Sequence, residues 1–444
     1  MHFHHWTRWI LPLEVCEKVI DESDAGGSYK ERCTNFCAFA LVCKSWVPRT
    51  RIHLFRDVYL DSAQQSTKFL ATLSMSPGFC GYVEELTIDC SNSPNESNGW
   101  IYILLRTLPS RLTNLQRLSY NSLPTLHPTF FVFSRNFTSV KSLVLFGLNS
   151  QSFREVVQII NGFPNLLALR VDNCIWKTPG AFYKGGSHKL EVLDVFTHSF
   201  DTNKTPNGIY DVSDWVMASG SVASLQKLRL DPYYHTLQWD HFLQYGLRRL
   251  EVLYIGVHKS YNGKGSGKRT SFFRPGDRGL VLSSPGLDYL PSLESLGSLH
   301  FLFIDIHSVD STCISSVLQG LLDCLPTSLE VIELHFPGVD SETLFEEQAM
   351  ELWRTIDTTL TNSRYTSLRS VDIMWKVLPQ TQPSDIPQLL SSLDQQGLFK
   401  GSFPALYKAG LLWCGDDSTD TVFSVSTACC NSKSITSLTY FEDL

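Results

Sequence analysis

One short pattern recurs along most of this chain: an apolar residue, two residues of any type, a second apolar residue, one more residue and a third apolar residue. Its members begin at Val83, Leu115, Val140, Leu166, Leu190, Leu225, Leu250, Leu299, Leu329 and Leu368, and a weaker last member begins at Leu406. Alternation of apolar and other residues predicts a short strand with one buried face. Because the pattern recurs so often, and because 444 residues exceed the usual size of one compact core, we expect stacked repeats.

The distances between successive members support a repeat architecture. They are 32, 25, 26, 24, 35, 25, 49, 30, 39 and 38 residues. Four of them fall in the window of about 20–29 residues that is typical of leucine-rich repeats, and the longer ones indicate units with inserts. Helix-type apolar spacing lies between the segments, at 153–160, 314–322 and 344–356. The predicted fold class is therefore α/β, with residues 61–444 forming an irregular leucine-rich-repeat solenoid of parallel strands and convex-side helices.

The residues between the apolar strand positions are predicted to point to the concave face, which is the usual binding surface of such arrays. The candidates for target binding that follow from this placement are Arg117, Arg170, Asp172, Asp194, Arg229, Tyr254, Glu333 and Asp372. Mixed charge with an aromatic residue suits recognition of another protein.

The first 60 residues show helical spacing instead. Pro12 stands where a helix can begin, and the apolar residues that follow it form a short amphipathic pattern that ends at the glycine-containing stretch 24–28. A second helical pattern runs from Phe36 to Trp46. Pro48 either ends it or begins a further helix, and residues 53–60 are predicted to be extended.

A helical unit of about 45 residues is too small to bury its own apolar residues well. Its exposed set would include Leu11, Pro12, Val15, Leu41 and Val42 unless something covers them. An uncovered apolar patch indicates a partner, whereas packing against the rest of the chain would remove the need for one. Composition alone leaves both alternatives open.

Two stretches carry a family resemblance. Leu11-Pro12-x-Glu14-Val15 is followed by Ala-Leu-Val-Cys-x-x-Trp-Val-Pro-Arg-x-Arg-x-x-Leu-Phe from Ala40 to Phe55. Together they resemble the F-box of mushroom-forming fungi, a three-helix module that binds the Skp-type linker subunit of cullin-based ubiquitin ligases. The resemblance covers residues 10–60 of a module assigned to 1–60. It implies that the linker-binding residues are Leu11, Pro12, Glu14, Val15, Ile20, Leu41, Val42 and Trp46. For Ile20, Leu41, Val42 and Trp46 the sequence leaves two roles open, the linker interface or the module's own core.

The resemblance implies an adaptor without catalytic activity. The helical module would bind the linker and, through it, the cullin, while the repeats would hold an unknown target protein. One alternative is a leucine-rich-repeat scaffold with no ligase role. A second alternative is an enzyme with its site in the insert 256–298, although the glycine- and lysine-rich segment 263–269 lacks the first Gly and the Ser or Thr of a phosphate-binding loop.

The net charge and the cysteine content limit the remaining classes of function and location. The net charge of −7 argues against general nucleic-acid binding, and residues 323–444 hold 17 acidic against 7 basic residues. The sequence shows neither a secretory signal nor an apolar run long enough to span a membrane. Twelve scattered cysteines suit a reducing compartment, so a cytoplasmic or nuclear location is expected. No spacing predicts a metal site or a cofactor.

Overall fold

The computed structural model of the protein describes residues 12–23, 29–91, 99–123, 128–178, 188–196, 208–230, 247–258, 293, 296–307, 325–336, 347–375, 403–409 and 412–416. The chain divides into two compact units, Met1–Ala181 and Phe182–Leu444. The boundary predicted at residue 60 therefore lies inside the first unit. Both units are α/β and built on parallel strands.

Three helices begin the described chain: α1 (Leu13–Glu22), α2 (Tyr29–Val42) and α3 (Val47–Arg56). Pro48 lies in the first turn of α3, so this proline begins a helix, as one of the two expected alternatives had it. The extended segment predicted for 53–60 is wrong in its first half, because α3 continues to Arg56. Tertiary packing explains the difference, since the His53 ring stacks on Phe36 of α2 at 4.9 Å and thereby favours the helix.

The first unit continues as a parallel sheet. Its strands, in spatial order, are β1 (Asp57–Leu60), β2 (Glu85–Asp89), β3 (Arg117–Asn121), β4 (Ser142–Phe146) and β6 (Ala168–Asp172), while β5 (Asn149–Ser152) and β7 (Ile175–Thr178) form a separate parallel pair. The connecting helices are α4 (Ala63–Met75), α5 (Gly99–Thr107), α6 (Thr129–Ser134) and α7 (Phe153–Ile160). Each of these helices packs on the next, so they form one layer over the sheet.

The second unit holds a longer run of parallel strands. They follow chain order as β8 (Val192–Phe196), β9 (Lys227–Leu230), β10 (Val252–His258), β11 (Phe301–His307), β12 (Val331–Phe336), β13 (Ser370–Trp375) and β14 (Leu412–Asp416). The described helices of this unit are α8 (Gly208–Ser219), α9 (Glu347–Leu360) and α10 (Pro404–Ala409), and short 3-10 turns at Ser221–Ser224 and Ser363–Tyr365 lead into β9 and β13.

The register confirms the repeating pattern as the source of the core. Ten of the eleven predicted segments form strands, each beginning two residues after the first apolar position. The second apolar positions lie side by side across neighbouring strands, as Leu86, Leu118 and Leu143 do in the first unit. In the second unit the corresponding residues are Leu193, Leu228, Leu253, Leu302, Ile332 and Val371. All of these side chains are buried, so each repeat covers the apolar face of the next.

The eleventh segment is the exception. Leu406 lies in helix α10, and β14 begins only at Leu412. The Asp357 carboxylate of α9 accepts hydrogen bonds from the backbone N–H groups of Ala405 (2.9 Å) and Leu406 (2.6 Å), which caps the helix N-terminus. A side chain some 48 residues away in sequence thus favours a helix where the local pattern predicted a strand.

The predicted helical patterns have separate outcomes. The pattern at 153–160 is confirmed as α7, and the one at 344–356 is confirmed as α9 over its described residues. The pattern at 314–322 lies outside the described residues. Across the part of the chain that the structure describes, no helix combines the length and the apolarity needed to cross a membrane.

A polar residue directly before a repeat ties that repeat to the preceding one. The side chains of such residues donate to backbone carbonyls of the preceding repeat: Asn114 to Gly81 (2.8 Å), Asn165 to Thr138 (2.7 Å), Ser224 to Leu190 (2.7 Å), Ser298 to Arg248 (2.9 Å) and Ser328 to Leu299 (2.7 Å). These bonds satisfy turn carbonyls that no strand pairs. The Asn and Ser residues that recur before the apolar pattern therefore connect successive turns.

Candidate docking surfaces

The interior of the helical module is small and largely aromatic. Ile20 and Phe36 are fully buried, and Thr50 is buried beside them on α3. The ring of Phe39 lies edge-on to Phe36 (6.3 Å between centroids) and to Trp46 (5.6 Å). Ile20, which the resemblance placed among linker-binding residues, therefore belongs to the module's own core. Trp46 is half-buried against Phe39 and keeps part of its surface exposed.

A charged cluster ties α1 to α3. The Asp21 carboxylate accepts two hydrogen bonds from the Arg49 guanidinium, both at 2.7 Å, and one from His53 Nε2 at 2.8 Å. The Arg49 hydrogen bonds are the main cause that lowers the pKa of Asp21 to about 2. A bidentate pair of this kind fixes the direction of a helix more firmly than a single contact does.

The same module leaves large apolar side chains in solvent. Leu41 is 88% exposed and Val42 61%, and both lie in the last turn of α2. On α1, the exposed large apolar residues are Leu13, Val15 and Val19. These five residues, hereafter the module's apolar surface, are half of the ten exposed large hydrophobic side chains in the part of the chain that the structure describes. Such a concentration in one small module makes these residues a candidate binding surface.

The structure also locates most of the remaining predicted linker-binding residues. Pro12 caps the N-terminus of α1, its carbonyl accepts the N–H groups of Val15 and Cys16, and its side chain is exposed, as is that of Glu14. Leu11 lies outside the described residues. Sequence reasoning missed Leu13 and Val19 as surface residues, because each lies three residues from the buried Cys16 and helical spacing alone would place it near the buried face.

The module is joined to the sheet by polar contacts as well as by chain continuity. The Arg32 guanidinium of α2 pairs with Asp57 of β1 at 2.7 Å. The Tyr29 ring lies 5.6 Å from that of Tyr59, and the Tyr29 hydroxyl accepts the Tyr59 backbone N–H at 3.4 Å. The Tyr59 hydroxyl in turn donates to Asp89 of β2. Helix α2 is therefore anchored to the edge of the first unit's sheet.

On the first unit's sheet, the predicted target-binding residues pair with one another or with neighbours. Arg117 donates to Glu85, its partner in the register of β2 and β3, at 3.0 Å. Arg170 donates to Asp172 two residues further along β6 at 2.9 Å, and Asp172 is buried. Burial raises the pKa of Glu85 above its usual range. These contacts hold the two arginines against the sheet.

On the second unit's sheet, five predicted residues fall into one row. Asp194, Arg229, Tyr254, Glu333 and Asp372 occupy equivalent positions on successive strands, and Phe303 fills the position between Tyr254 and Glu333. We call these six residues the central row. Sequence reasoning missed Phe303 because it stands in a continuous apolar run, where alternation marks no outward position.

The central row is an ordered array of rings and charges. The Arg229 guanidinium lies 4.5 Å from the ring centroid of Phe196 and 4.1 Å from that of Tyr254. The rings of Tyr254 and Phe303 stack at 6.3 Å. Asp194, Phe303 and Glu333 are buried, whereas the other three members are half-buried.

Burial also changes the acid–base behaviour at one end of this row. Desolvation raises the pKa of Asp372 to about 6, although the Ser370 hydroxyl donates to its carboxylate.

Among the described residues, no group of three or more His, Cys, Asp or Glu side chains is placed to hold a metal ion. The described residues present two candidate docking surfaces, an apolar one on the helical module and a charged and aromatic one on the second unit. Compared with protein-family models and with curated proteins, the chain matches none.

Proposed function

We propose that this protein is a substrate-recognition adaptor of a Skp–cullin–F-box ubiquitin ligase. The helical module binds the Skp-type linker, and the repeats bind a target protein. The observation that carries the proposal is the exposure of Leu41, Val42, Leu13, Val15 and Val19 on a module whose sequence resembles the F-box. An adaptor of this kind acts in the cytoplasm or nucleus.

Covering the module's apolar surface would provide a large part of the binding energy. Burial of one large apolar side chain contributes roughly 1.5–3 kcal/mol before the entropic cost of association is counted. Leu41 and Val42 are exposed over most of their surface, so they stand to gain the most. Pro12 and Glu14 are also exposed, at the start of α1. In the complex they would contribute an apolar ring and a carboxylate to the contact.

The mechanism is proximity. The contacts of Arg32 with Asp57 and of Tyr29 with Tyr59 anchor α2 to the sheet, so a linker bound at the module would be held at a fixed place relative to the first repeats. A target bound by the repeats then experiences a high effective concentration of the ubiquitin-loaded enzyme. The chain supplies binding and orientation, and the ligase supplies the chemistry.

Co-purification of the full chain with a Skp-type linker tests the proposal. The test variant is Leu41→Asp/Val42→Asp, which places two charges in the module's apolar surface. The matched control is Met75→Asp/Val132→Asp, because Met75 (78% exposed) and Val132 (62%) are as open to solvent as the tested pair but lie on α4 and α6. We expect the wild-type chain and the control to retain the linker and the test variant to lose it.

Two outcomes would contradict the proposal. If the folded wild-type chain does not retain the linker, the ligase role fails and a leucine-rich-repeat scaffold without it becomes the better description. If the test variant and the control lose the linker to the same extent, the contact does not involve the module's apolar surface. Circular dichroism of all three proteins verifies that they are folded.

A further inference from the structure

Three aromatic rings meet where α3 packs on the short 3-10 turn Pro77–Gly81, which follows α4. The rings of Phe55 and Phe79 stack with 4.3 Å between their centroids, and the Tyr82 ring lies 6.2 Å from that of Phe79. Phe55 and Phe79 are half-buried, and Tyr82 is 37% exposed. We call these three residues the aromatic platform, which shares no residue with the module's apolar surface.

Hydrogen bonds fix the backbone that presents the platform. The N–H groups of Phe79 and Tyr82 donate to the carbonyls of Ser76 (3.1 Å) and Phe79 (3.0 Å). The Asn114 side chain donates to the Gly81 carbonyl at 2.8 Å and so ties the turn to the next repeat. Because the rings stand on an ordered turn, a partner that binds them has little ordering entropy to overcome.

One cation accompanies the platform. Arg51 lies on α3, one helical turn before Phe55, and is exposed. Its guanidinium lies 5.8 Å from the centroid of the Phe79 ring, within the range in which the ring quadrupole attracts a cation. Stacking uses the flat face of a guanidinium and leaves the N–H donors in its plane available.

These donors have no anionic partner in the part of the chain that the structure describes. No carboxylate there forms an ion pair with Arg51, and the Tyr82 hydroxyl forms no hydrogen bond there. An exposed guanidinium held over a ring is therefore placed beside a phenolic donor and an apolar surface. A carboxylate complements the guanidinium by two parallel charge-assisted hydrogen bonds, and the phenol offers a further donor.

The turn also leaves room for a second molecule. Gly78 is exposed, and a Cβ atom at this position would have no other atom within 4 Å. A partner's backbone can therefore approach the turn closely beside Phe79. The same open space means that a side chain introduced at Gly78 displaces nothing in the fold.

An anionic membrane matches this surface less well than a protein segment does. Attraction to anionic lipid generally takes a cluster of about 4–8 basic residues. Among the described residues, Arg51 is the one cation placed over the platform's rings, and two of those rings are half-buried rather than protruding. A single positioned guanidinium suits one carboxylate of a peptide.

We infer that the aromatic platform and Arg51 bind an acidic segment of a partner protein. A carboxylate of that segment pairs with the Arg51 guanidinium, and a neighbouring large apolar side chain packs against the exposed part of Tyr82. The inference goes beyond the proposed function, because none of these residues belongs to the module's apolar surface or to the central row.

Fluorescence anisotropy with a labelled peptide tests the inference on the full chain. The probe consists of three Gly-Glu-Phe units, and the two comparison peptides replace every glutamate by lysine or every phenylalanine by alanine. All are measured at about 0.15 M salt, so that loose charge attraction is screened. Flotation with vesicles of phosphatidylserine and phosphatidylcholine serves as the membrane arm.

Two test variants act on the site in different ways. Arg51→Gln removes the guanidinium, and Arg106→Gln is its matched control, because Arg106 is an exposed arginine on α5 of the same unit. Gly78→Glu adds a repelling carboxylate in the open space of the turn. Its control is Asn136→Glu at another exposed position of the first unit. Near-UV circular dichroism verifies that each protein is folded.

We expect the wild-type chain to bind the probe in preference to both comparison peptides and not to float with the vesicles. Arg51→Gln and Gly78→Glu should each weaken probe binding at least about fivefold, and the two controls less than about twofold. Arg51→Lys keeps the charge but loses the planar fork of donors, so its affinity should fall between those of Arg51→Gln and wild type.

Several results would overturn the inference. Absence of probe binding by the folded wild-type chain is one, and equal weakening by Arg51→Gln and Arg106→Gln is another. Undiminished binding of the alanine peptide would show that charge alone attracts the probe. Flotation with vesicles that Arg51→Gln abolishes would assign the surface to a membrane instead. The linker experiment varies Leu41 and Val42, so failure of this inference is distinguishable from failure of the adaptor proposal.

Discussion

The helical module and the repeat strands differ in the solvent exposure of their apolar side chains. In the ten repeat strands, the second apolar position is buried against the neighbouring repeat, as with Leu118 and Leu228, which are 0% exposed. In the module, Leu41 and Val42 face solvent. Stacked repeats cover one another's apolar residues within the chain, whereas the apolar residues of the module stay exposed and are, in the proposed function, covered by the linker.

This difference is expected to appear most strongly in stability measurements on matched substitutions. Leu118→Ala leaves a cavity between β3 and its helices, and should lower the free energy of unfolding by about 2–5 kcal/mol. Leu41→Ala removes the same atoms from an exposed site and should change it by less than about 0.5 kcal/mol. Urea unfolding followed by circular dichroism measures both.

The comparison fails if the two leucines behave alike. An equal and large loss at Leu41 would mean that this side chain is covered within the folded chain. In that case the module's apolar surface would belong to the protein's own core, and the linker experiment with Leu41→Asp/Val42→Asp would lose its basis.

The repeats also hold one another through single polar contacts, which should give an intermediate effect. Asn165→Ala removes the side-chain donor to the Thr138 carbonyl and should cost about 0.5–1.5 kcal/mol, the net worth of one such hydrogen bond. Asn136→Ala is the matched control, because Asn136 is an exposed residue of the same unit. Thermal unfolding of both variants and of wild type distinguishes loss of the hydrogen bond from the effect of replacing an asparagine by alanine. If the two variants have the same melting temperature, the Asn165 side chain does not stabilise the contact between repeats.

The sequence predicts the strands well because the information for them is local. Ten strands follow from apolar residues whose spacing matches a half-buried strand, and each is covered by a repeat with the same pattern. The eleventh segment shows the limit, because the cap that Asp357 provides to α10 depends on a residue distant in sequence. The local apolar pattern cannot predict a contact with a residue that is distant in sequence.

The candidate surfaces were harder to predict, for a similar reason. Val19 and Ile20 are adjacent apolar residues of α1, yet one is exposed and the other is fully buried. The direction of each follows from how α1 is fixed to α3 through Asp21 and Arg49. On the sheet, alternation located five members of the central row, and the register was needed to place Phe303 among them.

The smallest expected effect concerns how the module itself is held. In the folded protein the pKa of Asp21 is lowered to about 2, chiefly by Arg49, whereas an unfolded aspartate titrates near about 3.9. A depressed carboxyl pKa adds stability above the unfolded value and loses it as pH falls through the folded value, so the contribution is expected to disappear between about pH 4 and pH 2. Because Asp21 and Arg49 are both more than a third exposed, solvent screens the pair and the effect is modest.

Asp21→Asn should reduce the fall in melting temperature between about pH 4 and pH 2. Glu22→Gln, at an exposed neighbouring position, should leave that fall unchanged. If both variants follow the wild-type curve, α1 is held by the packing of Ile20 and Phe36 alone, and the orientation of the module's apolar surface depends on its core rather than on the ion pair.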